Sequence, residues 1–294
     1  MPELPEVETV RRGLENRIIG QKITDVWFDW PKSFPNSNEA VEQFLIGAKI
    51  VLVKRRAKVL LIELSSKYSL VIHLKMTGQL VYRSEKDRWG AGHPNNSLVG
   101  DLPDKTTHVI LSLAKRQDSA KLFFNDQRKF GWVRLLPTAE VPNIDFFKKI
   151  GPEPLADDFT AKDFAERLKR RPNSVVKAAL LDQSVIAGVG NIYADESLWG
   201  AKIHPKTLVK NIGPRKLNTL FEQLRYVLKL AIEKGGSTDR NYVDADGKRG
   251  SYLSFAKVFR RNGLGCPRCD TTIIKIRVAG RGTHLCPKCQ KVKS

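Results

Sequence analysis

Four cysteines stand in two short pairs near the end of the chain: CPRC, then sixteen residues, then CPKC. Cys266, Cys269, Cys286 and Cys289 thus offer two C-x2-C knuckles. One knuckle lets two thiolates reach a tetrahedral Zn2+. Two knuckles close the shell with no position left for water, so such a site is structural. The chain has no other cysteine to pair with them. In a reducing compartment that set points to metal rather than disulfides. Reduced free thiols or an iron–sulfur site are the alternatives. The intervening TIIKIRVAGRGTHL reads as two strands joined at Gly280-Arg281-Gly282, with an arginine at the hairpin tip.

The opposite end offers a different chemistry. The opening MPELPEVETV puts Pro2 beside Glu3. Proline at position two favours removal of Met1, which frees a secondary α-amine. An α-amine titrates near ~8, well below a lysine at ~10.4, so part of it is a neutral nucleophile at physiological pH. Amines attack carbonyl-like carbons to give Schiff bases. A neighbouring carboxyl such as Glu3 can protonate a leaving oxygen and shuttle protons afterwards. Pro5, Glu6 and Glu8 have an ordinary reading, because proline and acidic side chains suit the first turn of a helix.

Lys58 lies in VKRRAKVLL at the apolar end of a strand-like run. As the basic residue embedded in that apolar end it is a candidate to point inward, with Lys54 to Arg56 staying solvated; on its own this stretch favours a snorkelling lysine. In AGVGNIYADE, Gly188, Gly190 and Asn191 open a helix without the third glycine or preceding strand of a dinucleotide fingerprint. Asn191 is a candidate cap, and the amides there could hold a phosphate. Lys177 could add a cation to the same anion, and Arg281 could touch another phosphate. Taken singly, each of these residues also has a bland reading as a cap, a stem or a solvated turn.

The elements that must position these residues change type along the chain. Val7, Val10, Leu14 and Ile18 form one face of an opening helix. Strand-like runs follow: KITDVWF, KIVLVKR, KVLLIEL, YSLVIHL, GQLVYR, THVILSL and KLFFND. Several alternate as half-buried antiparallel strands do, which predicts a sandwich or barrel over residues 1–136. Residues 85–105 read as a long polar loop and 137–156 as a linker. Helical patterns then occupy 157–236: AKDFAERLKRR capped by Thr160, SVVKAALLDQ, NIYADESLWGA, and a long amphipathic stretch from Pro214 stopped by Gly235-Gly236. A polar loop and connection spans 237–262, and the four-cysteine tail occupies 263–294.

The chain of 294 residues carries 51 Lys and Arg against 31 Asp and Glu, a net charge of +20 and a pI near 9.9. Such a field attracts polyanions, with nucleic acid first and an anionic membrane surface second. The hydrophobic fraction of 41% is that of a soluble protein. No apolar run approaches the ~20 residues of a membrane span. The N-terminus has no signal-like apolar region. A cytoplasmic monomer is the expectation.

Together, MPELPEVETV, KMTGQL, DQRKFG, IGPEPL, DQSVIAGVGNIYADESLW and CPRC…AGRGTHLCPKCQ resemble bacterial formamidopyrimidine-DNA glycosylase, also called 8-oxoguanine DNA glycosylase/AP lyase. The motifs stand in the family's order from the first residue to nearly the last. The resemblance implies an α+β multidomain chain: an N-terminal β-sandwich with an opening helix, a helix–two-turns–helix domain and a C-terminal zinc-finger β-hairpin. It implies one structural Zn2+, duplex DNA held between two halves, excision of oxidised purines, and β,δ-elimination at the abasic site. Pro2 matches the family's nucleophile, Glu3 its acid/base carboxylate and Lys58 its second essential amine. Lys177, Asn191 and Arg281 match its phosphate contacts. Met76, Arg128 and Phe130 match the trio that fills the gap left by an everted nucleotide; read alone, Met76 and Phe130 would be core residues. His73 and His108 are further DNA-binding candidates on the same resemblance.

Two departures stand out. Lys75 occupies a position where the family more often has glycine, and the loop from Glu85 to Lys105, with Trp89, is longer than typical. The segment around Thr238 to Tyr252 matches a loop that closes over the everted base. Two other readings compete. An endonuclease VIII-like enzyme would act on oxidised pyrimidines, although the ELPE start with Leu4 favours the first branch. A zinc-ribbon protein would bind DNA or RNA without catalysis.

Overall fold

The structure is a computed structural model that describes residues 2–93, 95–237 and 252–292. The chain divides into two compact units. The first holds residues 2–148 with 235–237; the second holds 149–234 and 252–292.

The first unit opens with α1 (Leu4–Ile18). Its capping box joins Glu3 and Glu6, with the Glu3 amide donating to Glu6 Oε2 at 2.8 Å. Val7, Val10, Leu14 and Ile18 are buried on one face, as the spacing predicts. The strands are β1 (Lys22–Phe28), then, after α2 (Asn38–Phe44), β2 (Ile50–Arg56), β3 (Val59–Leu64), β4 (Tyr68–His73), β5 (Gly78–Ser84), β6 (Arg88–Gly92), β7 (Thr107–Lys115), β8 (Asp118–Asp126) and β9 (Trp132–Pro137). They form two antiparallel sheets, ordered β1-β7-β8-β5-β6 and β2-β3-β4-β9. Their inner faces share one apolar core with α1, which touches β2 and β3 of one sheet and β5 and β6 of the other. The β-sandwich expected from alternation is present.

Two segments differ from their sequence reading. Residues 85–105 are not loop throughout. They contain β6, which extends the first sheet by pairing with β5, and a 3-10 turn at Asn96–Leu98. Trp89 is the reason: it is buried in the core, and a Cβ at Gly13 of α1 would overlap its ring. Burial of one aromatic side chain overrides the polar, glycine-rich composition. The segment 137–156 holds a 3-10 helix (Thr138–Asn143) and α3 (Asp145–Lys149), with Phe146 packed edge-on to His73 and Trp132.

The second unit is helical, with a hairpin. Its helices are α4 (Ala161–Lys169), α5 (Val176–Leu181), α6 (Asn191–Gly200), α7 (Pro214–Glu233) and α8 (Tyr252–Phe255). Thr160 caps α4 in a box with Asp163, as expected. Gly235 and Gly236, at φ of +71 and +83, follow the end of α7. Strands β10 (Ile274–Val278) and β11 (Arg281–Leu285) pair antiparallel. The turn between them is Ala279-Gly280, both left-handed, rather than the Gly280-Arg281-Gly282 read from sequence. Two left-handed residues match the right-handed twist of a two-residue hairpin. Arg281 is therefore the first residue of β11, opposite Val278.

Candidate active site and nucleic-acid interface

In the first unit, Pro2 and Glu3 immediately precede α1, and both are buried. Lys58 is also buried, at 6% exposure, although a lysine in solution is strongly hydrated. A chain of hydrogen bonds ties α1 to the β2–β3 turn that carries it. Arg55 Nε donates to Glu8 Oε2 at 3.1 Å, and Arg55 Nη1 donates to the Ala57 carbonyl at 3.0 Å. Arg11 and Arg12 also donate to Glu8, at 3.0 and 3.1 Å. Burial opposes ionisation of Glu8, but Arg55, Arg11 and Arg12 outweigh it and hold the carboxyl below its ordinary range. Arg55 is thus not solvated, as VKRR suggested, and Glu8 does more than favour a helix start. The same turn holds Ala57 in the left-handed region, at φ +54.

His73 pairs with Val59 across β3 and β4, one residue beyond Lys58. It is buried against Trp132 and Phe146, and its Nδ1 accepts the Lys75 amide at 3.0 Å. Burial, then the charges of Lys75 and Lys58, push its pKa down to about 3, so the ring is neutral at pH 7. Lys75 itself is left-handed, at φ +49. That conformation costs a residue with a Cβ about 1 kcal/mol, which is why glycine suits the position. His108 is also buried. It joins Asp29 through Nδ1 at 2.9 Å and the Asp126 carbonyl through Nε2 at 3.2 Å.

Met76 is half-buried, whereas Arg128 is exposed and Phe130 is 52% exposed. The Arg128 guanidinium lies 4.7 Å from the Phe130 ring centroid. An exposed phenylalanine under an arginine is not core packing. It is a flat apolar wedge with a cation attached, a pair suited to entering a base stack and meeting a base edge.

In the second unit, Asn191 is the first residue of α6 and the cap position is Gly190, so the expected side-chain cap is absent. Asn191 Nδ2 instead donates to the Gly282 carbonyl at 2.9 Å. Lys177 is fully buried; its amine pairs with Asp195 Oδ1 and donates to Thr283 Oγ1, both at 2.6 Å. Asp195 Oδ2 accepts the His284 amide at 2.8 Å. Lys177 and Asn191 therefore both hold β11, which starts at the exposed Arg281.

The four cysteine Sγ atoms lie within 4.8 Å of one another. Individual separations of 4.0, 3.5 and 3.4 Å are near the ~3.8 Å edge of a tetrahedron with Zn–S bonds of ~2.3 Å. They are far longer than a disulfide bond. The donor set and spacing fit one structural zinc. Arg268 stacks 3.8 Å over Trp199 and fixes the first knuckle to the end of α6.

Three acids escaped the sequence reading: Asp126, Asp195 and Glu196. Glu196 accepts the amides of Lys257, Val258 and Phe259 at 2.8, 2.9 and 2.8 Å, and burial pushes its pKa up despite those bonds. An acidic pair, Asp195-Glu196, in the middle of α6 was the available signal. The segment expected to close over an everted base, Thr238 to Tyr252, lies outside the described residues apart from its last.

Family models match in chain order. The formamidopyrimidine-DNA glycosylase N-terminal domain covers residues 1–133, the H2TH domain of the same enzymes 150–242, and the zinc finger found in FPG and IleRS 263–292. Formamidopyrimidine-DNA glycosylases of Pelotomaculum thermopropionicum and Herpetosiphon aurantiacus are 42% and 43% identical to the chain. These matches cover 100% and 99% of it, and 100% of each relative. A Lactococcus lactis Fpg structure, a complex with abasic-site DNA, superposes with a TM-score of 0.85 at 37% identity, over 98% of this chain and 99% of that one. A structure of MutM with DNA containing carbocyclic 8-oxo-G gives 0.84 at 37% identity, over 99% and 100%.

Proposed function

The chain belongs to the formamidopyrimidine-DNA glycosylase family, and on that premise we propose the residues with which it removes oxidised purines and cuts the strand. It is a base-excision-repair enzyme, a DNA glycosylase with AP-lyase activity, whose partner is lesion-containing duplex DNA. One structural zinc belongs to it.

With Met1 removed, the Pro2 nitrogen attacks C1′ of the damaged nucleotide. The bond from C1′ to the base breaks, and the base leaves with the electron pair and takes a proton. Glu3 protonates O4′ as the sugar ring opens, which leaves an iminium at Pro2. Removal of a C2′ proton then expels the 3′ phosphate, and a second elimination expels the 5′ phosphate. Lys58 supplies a buried cation beside this chemistry and meets a flanking phosphate. Met76, Arg128 and Phe130 fill the space the nucleotide leaves. Arg281 meets the backbone, on a hairpin set by Lys177 and Asn191. His73 and His108 brace the loops behind the DNA contacts. Cytoplasmic work on chromosomal DNA suits this chemistry, and among the described residues no helix is long and apolar enough to cross a membrane.

The observation that carries the assignment is that two ionisable groups, Glu3 and Lys58, are each buried, on elements joined through Glu8 and Arg55. Burial of such groups without a functional return is costly. Intact mass should show loss of Met1. Borohydride with an 8-oxoguanine duplex should then trap a covalent adduct that peptide mapping places on Pro2. Binding without an adduct would leave only a zinc-ribbon module. Faster excision of thymine glycol than of 8-oxoguanine opposite cytosine would assign the endonuclease VIII-like specificity instead.

A further inference from the structure

Met76 and the Arg128–Phe130 pair stand on different loops, and both loops converge on one carboxylate. Asp126, the last residue of β8, is fully buried. Its Oδ1 accepts the Thr77 hydroxyl and the Arg128 amide, the latter at 3.2 Å. Its Oδ2 accepts the amides of Phe130 at 2.8 Å and Gly131 at 2.6 Å. Thr77 Oγ1 also accepts the Arg128 amide at 3.1 Å, so this one donor ties the Met76 loop directly to the Arg128–Phe130 loop. The Asp126 backbone is fixed independently: its amide donates to Thr106 O at 2.7 Å, and His108 meets its carbonyl.

Four donors occupy this carboxylate, and it has no exposure through which to exchange protons with a substrate. Its role is therefore positional. Charge-assisted bonds to backbone amides are among the stronger ones available, and here they hold a left-handed Lys129 and an exposed aromatic ring in place. We propose that Asp126 and Thr77 clamp the Met76 turn and the Arg128–Phe130 loop into one rigid wedge, so that the three side chains enter the duplex together when the damaged nucleotide leaves it. This inference rests on the reading of Met76, Arg128 and Phe130 as gap fillers. Both clamp residues are positioning residues: they act on eversion, not on bond breaking.

The test compares a step that needs eversion with one that does not, in the full zinc-loaded enzyme. Thr77→Val keeps the shape and removes the hydroxyl. Asp126→Asn turns one acceptor into a donor facing donors. Each variant should slow single-turnover excision of 8-oxoguanine from duplex by about tenfold, the effect of roughly one lost buried hydrogen bond. The rise of 2-aminopurine fluorescence beside the lesion should slow in proportion. Cleavage of a single-stranded oligonucleotide with a preformed abasic site should stay within about twofold, and the double variant should be no slower than the worse single one. Equal losses on both substrates would make the clamp merely structural and overturn the proposal. So would an unchanged fluorescence rise in both variants while Phe130→Ala slows it. If Phe130→Ala leaves the rise unchanged too, the gap-filler reading itself fails. Thr77→Val decides the matter if Asp126→Asn does not fold.

Discussion

At the scale of single residues, the folded environment sets charge states that composition does not show. His73 makes a measurable case. Its pKa falls from 6.5 unfolded to about 3 folded, because burial and the adjacent Lys75 and Lys58 disfavour imidazolium. Between these values the unfolded chain binds a proton that the folded chain does not. Stability is therefore complete above about pH 6.5 and declines as pH falls, at up to about 1.4 kcal/mol per pH unit. His73→Asn retains an acceptor for the Lys75 amide but has nothing to titrate. Urea unfolding from pH 7.5 to 5 should show the wild type losing stability faster than this variant; parallel lines would refute the buried neutral ring. The four cysteines were legible because their chemistry shows in their type and spacing, and their Sγ atoms do lie within 4.8 Å of one another. Asp126 was not: it only closes the strand-like run KLFFND, and the pairing of β8 with β5 is what buries it beside Thr77.

At the scale of elements, strands were legible where burial on one face produces alternation, as along Val109 to Ala114 of β7. β6 was not, because its order comes from contacts distant in sequence. Trp89 packs on α1 at Gly13, Arg17 bonds Asp87 at 2.7 Å, and the His93 amide donates to Gly78 O at 3.1 Å. The segment therefore braces both the helix behind Pro2 and the turn behind Met76. Gly13 tests this through a change of sign. Glycine to alanine within a helix ordinarily stabilises by about 1 kcal/mol. Here the added methyl meets the buried Trp89 ring, and overpacking of this kind costs about 1–3 kcal/mol. Gly13→Ala should lower the melting temperature of the wild type and raise that of Trp89→Ala, which should itself be strongly destabilised. A stabilising Gly13→Ala in the wild-type background would show that Trp89 does not pack there.

At the scale of the whole molecule, the net charge of +20 attracts DNA regardless of sequence, so affinity alone cannot separate contact from field. Salt dependence can, because each phosphate contact made by a cation releases counterions and steepens the slope of log K against log salt by about 0.9. Arg281 is exposed and stands ready for such a contact. Lys177 has a competing claim on its charge, since its amine is buried between Asp195 and Thr283. Removing the amine in Lys177→Met strands Asp195 and should cost about 3–5 kcal/mol of stability. Arg281→Ala should reduce the salt slope by about 1. If Lys177 acts by holding β11, the double variant should show the slope of Arg281→Ala alone. If its ammonium leaves Asp195 to meet a phosphate of its own, the double variant should lose about 2. The buried pair predicts the first outcome, in which one exposed arginine meets the backbone and one buried lysine keeps it in place.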